Sequence, residues 1–319
     1  MKYVLVNSII FIFTLILMLL GIEGILRIKN SDMKNYNIEM WKYAKELKVN
    51  SNNLELGHEH KNSAQATLQS VVIRTNNFGL RGPDINEKSE NKRRILFLGS
   101  SATLGWGVKE EETMTSLLDE KLGENVEVLN AGIGNYNTSR YTELFFTKLE
   151  ILHPTDIVIH YFLNDVEILK ANSGNWFLRN SELAVTLWDL INRINYKSFS
   201  IEDYYNNLYE KDSKGFNLML NSLDKLSNYA KKNNINIYFV MTPDIHDITN
   251  YKFKNIHNIM KEIAIERNFT YIDLLDSFEN KYKSSELWVM KTDPHPNKKA
   301  HEIMADAIYP YLINNNLNN

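Results

Sequence analysis

The sequence predicts an α/β protein, a three-layer α/β/α sandwich around a parallel five-stranded sheet, preceded by one transmembrane helix. Two observations carry this prediction. Short apolar runs alternate with amphipathic helical stretches five times within residues 94–313, and a separate apolar run occupies residues 4–22. Parallel strands need crossover connections, usually helices, so regular strand–helix alternation indicates a parallel sheet covered on both faces.

The apolar run near the N-terminus is long enough to cross a bilayer. Its polar residues are Asn7, Ser8 and Thr14. A helix over residues 4–22 rises roughly 28 Å, close to the ~30 Å hydrocarbon core of a membrane. Because no small-residue cleavage pattern follows the run, residues 1–30 are predicted to be an uncleaved, single-pass membrane anchor.

The charges beside the anchor bear on its orientation. Lys2 precedes the apolar run, whereas Arg27, Lys29 and Lys34 follow it. By the positive-inside rule, this excess of positive charge after the run would leave the main domain in the cytoplasm.

Two further regions follow the anchor. Residues 31–93 are predicted to be an N-terminal extension or linker, with an amphipathic helix at 36–47 and an extended run at 67–74. Residues 94–319 are the main domain, in which 173–213 interrupt the alternation and are predicted to form an insertion over the functional site. The predicted strands are 95–98, 126–130, 157–162, 235–241 and 271–274, and the predicted helices are 110–122, 138–152, 217–232, 256–267 and 297–313.

Composition excludes several kinds of partner and site. The chain is 44% apolar and 24% charged, which supports a full-sized hydrophobic core. Its net charge of -3 gives no electrostatic basis for nucleic acid as a partner. It has no cysteine, which excludes disulfides, thiolate metal ligands and cysteine nucleophiles.

Four polar or glycine-containing blocks lie where chemistry is expected in such a fold. Three follow the first three strands, and the fourth directly precedes the last helix. In open parallel sheets the ligand crevice lies beyond the carboxyl ends of the strands, so we expect the blocks to meet in one site. The blocks are 99–107 (GSSATLGWG), 130–138 (NAGIGNYNT), 163–165 (LND) and 293–297 (DPHPN).

In order and position these blocks resemble those of the SGNH/GDSL hydrolases, over residues 94–313. The resemblance implies a flavodoxin-like fold and a serine esterase. It implies that Ser101 is the nucleophile, that His295 is the catalytic base and that Asp293 orients the base. It also implies that the oxyanion is bound by the amide of Ser101, the backbone N–H of Asn135 and the side-chain amide of Asn164.

These roles agree with the chemistry of ester hydrolysis. A serine hydroxyl becomes a nucleophile when a neighbouring base takes its proton, and the tetrahedral oxyanion needs preorganised donors. More loosely, residues 31–93 resemble the leader of membrane-linked bacterial members, through GHEH at 57–60 and TNNFGLR at 75–81.

Three positions depart from the family pattern. Ser100 stands where an aspartate is usual, which leaves Ser100 as an alternative nucleophile. Asn135 stands where glycine is usual, but a backbone N–H still donates from asparagine, which tolerates unusual φ angles. The acid usually lies three residues before the histidine, where this chain has Thr292, so the assignment of Asp293 rests on a spacing of two.

Other residues allow plainer interpretations. Trp106 either lines the substrate pocket or packs beneath the nucleophile loop, and His301 is expected on a helix face near the site. His58 and His60 suggest a metal, but without a further ligand cluster a polar loop is favoured. The glycine-containing blocks lack the fingerprint of a dinucleotide-binding loop. We therefore expect no metal and no cofactor.

The expected activity is hydrolysis, or transfer, of a short O-acyl group, above all acetyl, on a carbohydrate or similar small ester. Two alternatives remain open: a lipid-ester or thioester hydrolase at the membrane, and a catalytically inactive SGNH domain that serves as a binding module. The resemblance to enzymes of envelope glycans places the catalytic domain on the extracytoplasmic side, against the charge count.

Overall fold

The computed structural model of the chain describes residues 2–89, 92–170, 176–195 and 200–313. Its strands are β1 (Lys48–Asn50), β2 (His58–His60), β3 (Gln65–Leu68), β4 (Val71–Arg74), β5 (Arg93–Gly99), β6 (Val126–Gly132), β7 (Asp156–Tyr161), β8 (Asn236–Met241), β9 (Thr270–Asp273), β10 (Trp288–Met290) and β11 (Asp293–Pro296). Its α-helices are α1 (Lys2–Lys29), α2 (Tyr36–Glu46), α3 (Ser101–Leu104), α4 (Met114–Leu122), α5 (Thr138–Leu144), α6 (Trp176–Asn180), α7 (Glu182–Asn195), α8 (Ile201–Leu208), α9 (Lys214–Asn233), α10 (Lys254–Glu266), α11 (Leu275–Phe278) and α12 (Lys298–Ile313).

The central sheet has five parallel strands in the order β6–β5–β7–β8–β9, which confirms the predicted fold class. Counted along the chain this order is 2-1-3-4-5, the flavodoxin-like arrangement. The first strand, β5, lies between β6 and β7, so the direction of winding reverses beside it. The carboxyl ends of β5, β6 and β7 therefore surround one crevice.

Burial explains why the strand segments are continuously apolar. Ile95, Leu96, Phe97 and Leu98 of β5 are fully buried, and every residue of β7 is buried. Because crossovers are right-handed and the winding reverses at β5, α4 covers the opposite face from α5, α9 and α10. In agreement, α4 packs with α12 and α5 packs with α9.

Helix α1 stands apart from this core. None of its residues is buried, and it is long and apolar enough to be a candidate membrane span. A signal sequence near the N-terminus meets the same criterion.

The extension folds into a helix and two hairpins. β1 pairs with β2 and β3 with β4, and α2 contacts β1 and β3. The run at 67–74, predicted as one extended segment, is instead the end of β3, a turn and β4. The turn residues Gln69 and Ser70 have φ of 48° and 65°. Left-handed backbone at both central residues characterises a type I′ hairpin turn, and the apolar pattern gave no sign of it.

Two predicted helices are shorter than their apolar spacing indicated. In the stretch 110–122 a 3₁₀ turn, Glu110–Glu112, precedes α4. The helix begins after Thr113, because Thr113 Oγ1 accepts the amide of Ser116 at 3.3 Å and so caps it. The stretch 138–152 is α5 followed by one π turn and one 3₁₀ turn.

The insertion predicted at 173–213 is largely helical where it is described, and it contains α6, α7 and α8. Its residues 173–175 and 196–199 lie outside the described ranges. Helix α7 contacts both α1 and α2, so the insertion connects α1 with the extension.

Candidate active site

Ser101 lies where the first strand of the central sheet turns into a helix. β5 ends at Gly99 and α3 begins at Ser101, which puts the hydroxyl at the carboxyl edge of the sheet. The turn is tight: a Cβ at Gly99 would overlap Thr103 Oγ1, so glycine is required there. The strand end therefore fixes the position of the serine.

Ser101, His295 and Asp293 form a continuous hydrogen-bonded chain. Ser101 Oγ lies 2.8 Å from His295 Nε2, and His295 Nδ1 lies 2.5 Å from Asp293 Oδ1. The carboxylate can only accept, so Nδ1 carries the proton and Nε2 is left to accept from the serine O–H. This is the tautomer that a serine nucleophile needs.

The hairpin of β10 and β11 explains the spacing of two between acid and base. Asp293 and His295 both lie on β11, and residues i and i+2 of a strand point to the same side. Thr292, at the usual acid position, is exposed. Ser100, the alternative nucleophile, lines the same cavity as Ser101 but makes no hydrogen bond to His295 in the described structure.

Asp293 is wholly buried, and two side chains besides that of His295 donate to it. Its Oδ2 accepts Gln69 Nε2 at 2.5 Å and Trp106 Nε1 at 2.9 Å. Burial raises the pKa of this carboxyl, but the hydrogen bonds from His295 and Gln69 outweigh it, and the pKa lies below its ordinary value. Asp293 is therefore ionised at neutral pH. Trp106 was expected either to line the pocket or to pack beneath the loop that carries Ser101. It is buried and does not line the cavity, so it packs beneath that loop.

Asn135 and Asn164 follow β6 and β7, on either side of β5, and both line the cavity that contains Ser101. Asn135 has φ 64°, a left-handed conformation that asparagine tolerates. Within the described residues its backbone N–H has no hydrogen-bond partner, whereas the N–H of Gly134 donates to Tyr43 Oη at 3.0 Å. Of these two adjacent amides, the one at Asn135 is available to a ligand.

The extension holds Gly134 through both its N–H and its carbonyl oxygen, which the sequence did not indicate. Tyr43 accepts its N–H, and Lys48 Nζ donates to its carbonyl oxygen at 2.6 Å. Tyr43 and Lys48 are both buried, and Lys48 Nζ lies 4.2 Å from the centre of the Tyr43 ring. The Gly134 carbonyl and the Asn135 N–H belong to one planar peptide group, so the contact with Lys48 also fixes the orientation of the Asn135 N–H.

The sequence favoured a polar loop for His58 and His60, and this was wrong: both are buried in β2. His58 Nε2 lies 3.1 Å from the Gly134 carbonyl, and His60 lies between Tyr43 Oη at 2.6 Å and the Gly79 carbonyl at 3.0 Å. Burial lowers the pKa of His58 to about 2 and that of His60 to about 3, so both rings are neutral. They support the Gly134 peptide and its contact with Tyr43.

Arg81 supports the loop that follows Ser101 in a similar way. Its buried guanidinium donates to the carbonyl oxygens of Leu104, Gly105 and Val108 at 2.5, 2.7 and 2.5 Å. Arg81 lies in the TNNFGLR block noted in the sequence, but nothing local indicated which loop it reaches. His301 lies on α12, fully buried, where its Nδ1 accepts the amide of Met114 at 3.0 Å.

A cavity of about 760 Å³ lies at the carboxyl edge of the sheet. The ring of Tyr36 lies 5.7 Å from that of His295, centre to centre. The cavity wall combines aromatic rings with hydrogen-bonding groups, and the insertion contributes to it as predicted. The aromatic residues are Tyr36, Trp41, Phe162, Trp188 and Tyr205, and the polar ones include Asn37, Lys48, Thr242, Asp244 and His246.

No protein-family model and no curated protein matches the chain. Among solved structures, the psychrotrophic esterase EstA from Pseudoalteromonas sp. is 20% identical, with a TM-score of 0.42, 72% of this chain and 100% of that chain covered. A GDSL-like lipase from Bacteroides thetaiotaomicron is 16% identical, with a TM-score of 0.42, covering 72% and 92%. An acetyl xylan esterase is 18% identical, with a TM-score of 0.44, covering 69% and 99%.

Identities and TM-scores this low give no information about activity, which is therefore inferred from the residues of the site. The architecture does not depend on the likeness, because strand order and block positions are properties of this chain. The parallel sheet in the order 2-1-3-4-5 is the flavodoxin-like arrangement predicted from the sequence, and the four blocks are grouped at its carboxyl edge.

Proposed function

We propose that this protein hydrolyses a carboxylic ester, with Ser101 as nucleophile, His295 as base and Asp293 as the carboxylate that orients the base. The supporting observation is the continuous hydrogen-bond chain from Ser101 Oγ through both ring nitrogens of His295 to Asp293, beside a cavity. This arrangement supplies the base and the orienting group that a serine nucleophile requires.

The reaction proceeds in two stages. Ser101 Oγ attacks the ester carbonyl carbon while its proton moves to His295 Nε2, and the carbonyl oxygen becomes an oxyanion. When the intermediate collapses, the bond to the alcohol oxygen breaks and His295 gives that oxygen the proton. Water, deprotonated by His295, then attacks the acyl-serine, and collapse returns the proton to Ser101 and releases the carboxylic acid. Asp293 stays ionised and stabilises the imidazolium.

The proposed oxyanion donors are the amides of Ser101 and Asn135 and the side chain of Asn164. They follow three adjacent strands of one sheet, so they are positioned before the substrate binds. A preorganised donor of this kind is commonly worth about 3–4 kcal/mol, or roughly 10²–10³ in rate. The Gly134 contacts described above restrict one of these donors to a single orientation.

For the substrate, we propose a short O-acyl group, above all acetyl, on a carbohydrate. Aromatic rings interspersed with hydrogen-bonding side chains, as in this cavity wall, provide both flat apolar surfaces and partners for hydroxyl groups. Whether the acyl group passes to water or to a sugar hydroxyl depends on which reaches the acyl-serine first.

One observation favours the alternative of a lipid ester. Helix α7 contacts the anchor helix α1, and its Trp188 lines the cavity, so the cavity wall is connected to the anchor. The third possibility, an inactive module, would be indicated by a serine and histidine too far apart to interact. The separation of 2.8 Å between Ser101 Oγ and His295 Nε2 gives no such indication.

The test uses the full-length chain in detergent, with p-nitrophenyl esters from acetyl to decanoyl. Ser101→Ala and His295→Ala are expected to lose roughly 10³-fold or more of kcat, whereas Ser100→Ala, the matched control, should keep most of it. Preference for short chains supports a short-acyl esterase, and preference for micellar long chains favours the lipid alternative. The proposal would be contradicted if Ser100→Ala lost activity while Ser101→Ala kept it. It would also be contradicted if the folded wild type were inactive on every ester and acetylated sugar tried.

A further inference from the structure

Helix α7 has an exposed apolar face. Leu187, Leu190, Ile191 and Ile194 expose between 49% and 74% of their surface. Their spacing of three and four residues puts them on one side of the helix, and no described residue covers that side. Soluble proteins seldom leave such a continuous apolar surface in water, so this face indicates an interaction.

The start of α7 is fixed to the end of α1 by hydrogen bonds. The carboxylate of Glu23 accepts Ser181 Oγ at 2.8 Å and the amide of Leu183 at 2.9 Å. Arg27 donates to the carbonyl oxygen of Asn180 at 2.8 Å. Glu23 directly follows the apolar run of α1, so these contacts put the first turn of α7 at the level where the anchor would leave the hydrocarbon.

We propose that the bilayer which holds α1 also covers the apolar face of α7, so that α7 lies in the membrane interface. The inference rests on α1 being the membrane anchor. An amphipathic helix with leucine and isoleucine on one side and polar groups on the other is typical of helices that lie at a membrane surface. The first turn of α7 lies beside the end of the apolar run of α1, because the two helices are joined at Glu23.

The opposite side of α7 faces helix α2 of the extension. Asp189 accepts Asn37 Nδ2 of α2 at 3.0 Å, and Trp188 meets Trp41 edge to face, with ring centres 6.0 Å apart. Both tryptophans line the catalytic cavity. A helix is about 10 Å across, so lipid on one side of α7 lies within one helix diameter of the cavity wall. The substrate is then met at the membrane surface.

The absence of cysteine from the chain makes the test direct. Single cysteines replace Leu187, Ile191, Ile16 or Ile265 in the full-length protein, each labelled with a fluorophore whose emission depends on polarity. The labelled proteins are reconstituted into phosphatidylcholine–phosphatidylglycerol vesicles with and without brominated acyl chains. Ile16 reports on α1, and Ile265, 55% exposed on α10, is the matched control for an apolar residue in water.

The labels at positions 187 and 191 are expected to be quenched by brominated lipid as strongly as the label at 16, while the label at 265 is not. If the label at 16 is quenched while the labels at 187 and 191 are no more quenched than the label at 265, the anchor is in the bilayer but the proposal for α7 is wrong. Self-quenching that depends on protein density rather than on bromine would assign the face to a second copy of the chain. If 16 is not quenched, the premise fails, whereas the esterase assay above is unaffected.

Discussion

Gln69 provides the sharpest test of how the extension contributes to catalysis. Its Nε2 donates to Asp293 Oδ2 at 2.5 Å, while its own Oε1 is buried without a partner among the described residues. Methionine has a similar length and volume but no amide. Gln69→Met therefore removes one of the donors to the triad carboxylate and the unpaired oxygen together, with little change in packing.

Loss of the donor lowers stability and loss of the unpaired oxygen raises it, whereas only loss of the donor affects catalysis. A hydrogen bond to a charged group contributes about 1.5–3 kcal/mol, and an unpaired buried acceptor costs about 1–3 kcal/mol, so the stability of Gln69→Met should change little. The orientation and ionisation of Asp293 depend on the donor alone. If most of that 1.5–3 kcal/mol is lost from the transition state, kcat falls about 10- to 100-fold, since about 1.36 kcal/mol corresponds to tenfold.

The assay is steady-state hydrolysis of p-nitrophenyl acetate by the full-length protein, with thermal unfolding measured in parallel. KM should change little, because Gln69 does not line the cavity. Gln65→Met, the same substitution at an exposed position in the same hairpin, should leave both kcat and unfolding unchanged. A folded Gln69→Met protein whose kcat stays within twofold of the wild type would refute the reasoning.

Asn164→Ala is expected to lower kcat roughly 10²–10³-fold with little change in KM; an unchanged kcat would remove Asn164 from the oxyanion donors. Tyr43→Phe leaves the Gly134 N–H and His60 Nε2 without a buried partner, at about 1–3 kcal/mol each, so the free energy of unfolding in urea should fall by several kcal/mol, and a change near zero would contradict the network. Burial raises the pKa of Asp165 well above its ordinary value, so the contribution of this one carboxyl to stability falls as pH rises above about 4. Asp165→Asn should therefore be more stable than the wild type at pH 8 but not at pH 4, and the opposite order in thermal melts would be evidence against this account. Burial also lowers the pKa of several histidines to about 3, so stability should fall as pH drops from about 6.5 toward 3, by at most about 1.4 kcal/mol per pH unit for each; a flat pH profile would show that they are not neutral in the fold. These histidines are His60, His160 and His301.

The sequence by itself was sufficient to predict the central sheet. Apolar runs ending in glycine or asparagine, alternating with helical periodicity, predicted the parallel sheet, because a strand buried on both faces has no polar alternation. The same runs located the polar blocks at strand ends, and the resemblance then named Ser101, Asn135, Asn164, Asp293 and His295. The structure brings Ser101, Asp293 and His295 into hydrogen-bond contact and puts Asn135 and Asn164 in the same cavity.

The tertiary structure alone decided what supports these residues. Gln69 and Asp293 are 224 positions apart, Tyr43 and Gly134 are 91 apart, and both contacts join the extension to the main domain. Periodicity and capping report on neighbours within a few residues, so they carry no information about a polar contact between surfaces that exist only after folding. The sequence therefore predicts only an extension or linker for residues 31–93, although their buried polar groups hold the Asp293 carboxylate and the backbone of Gly134.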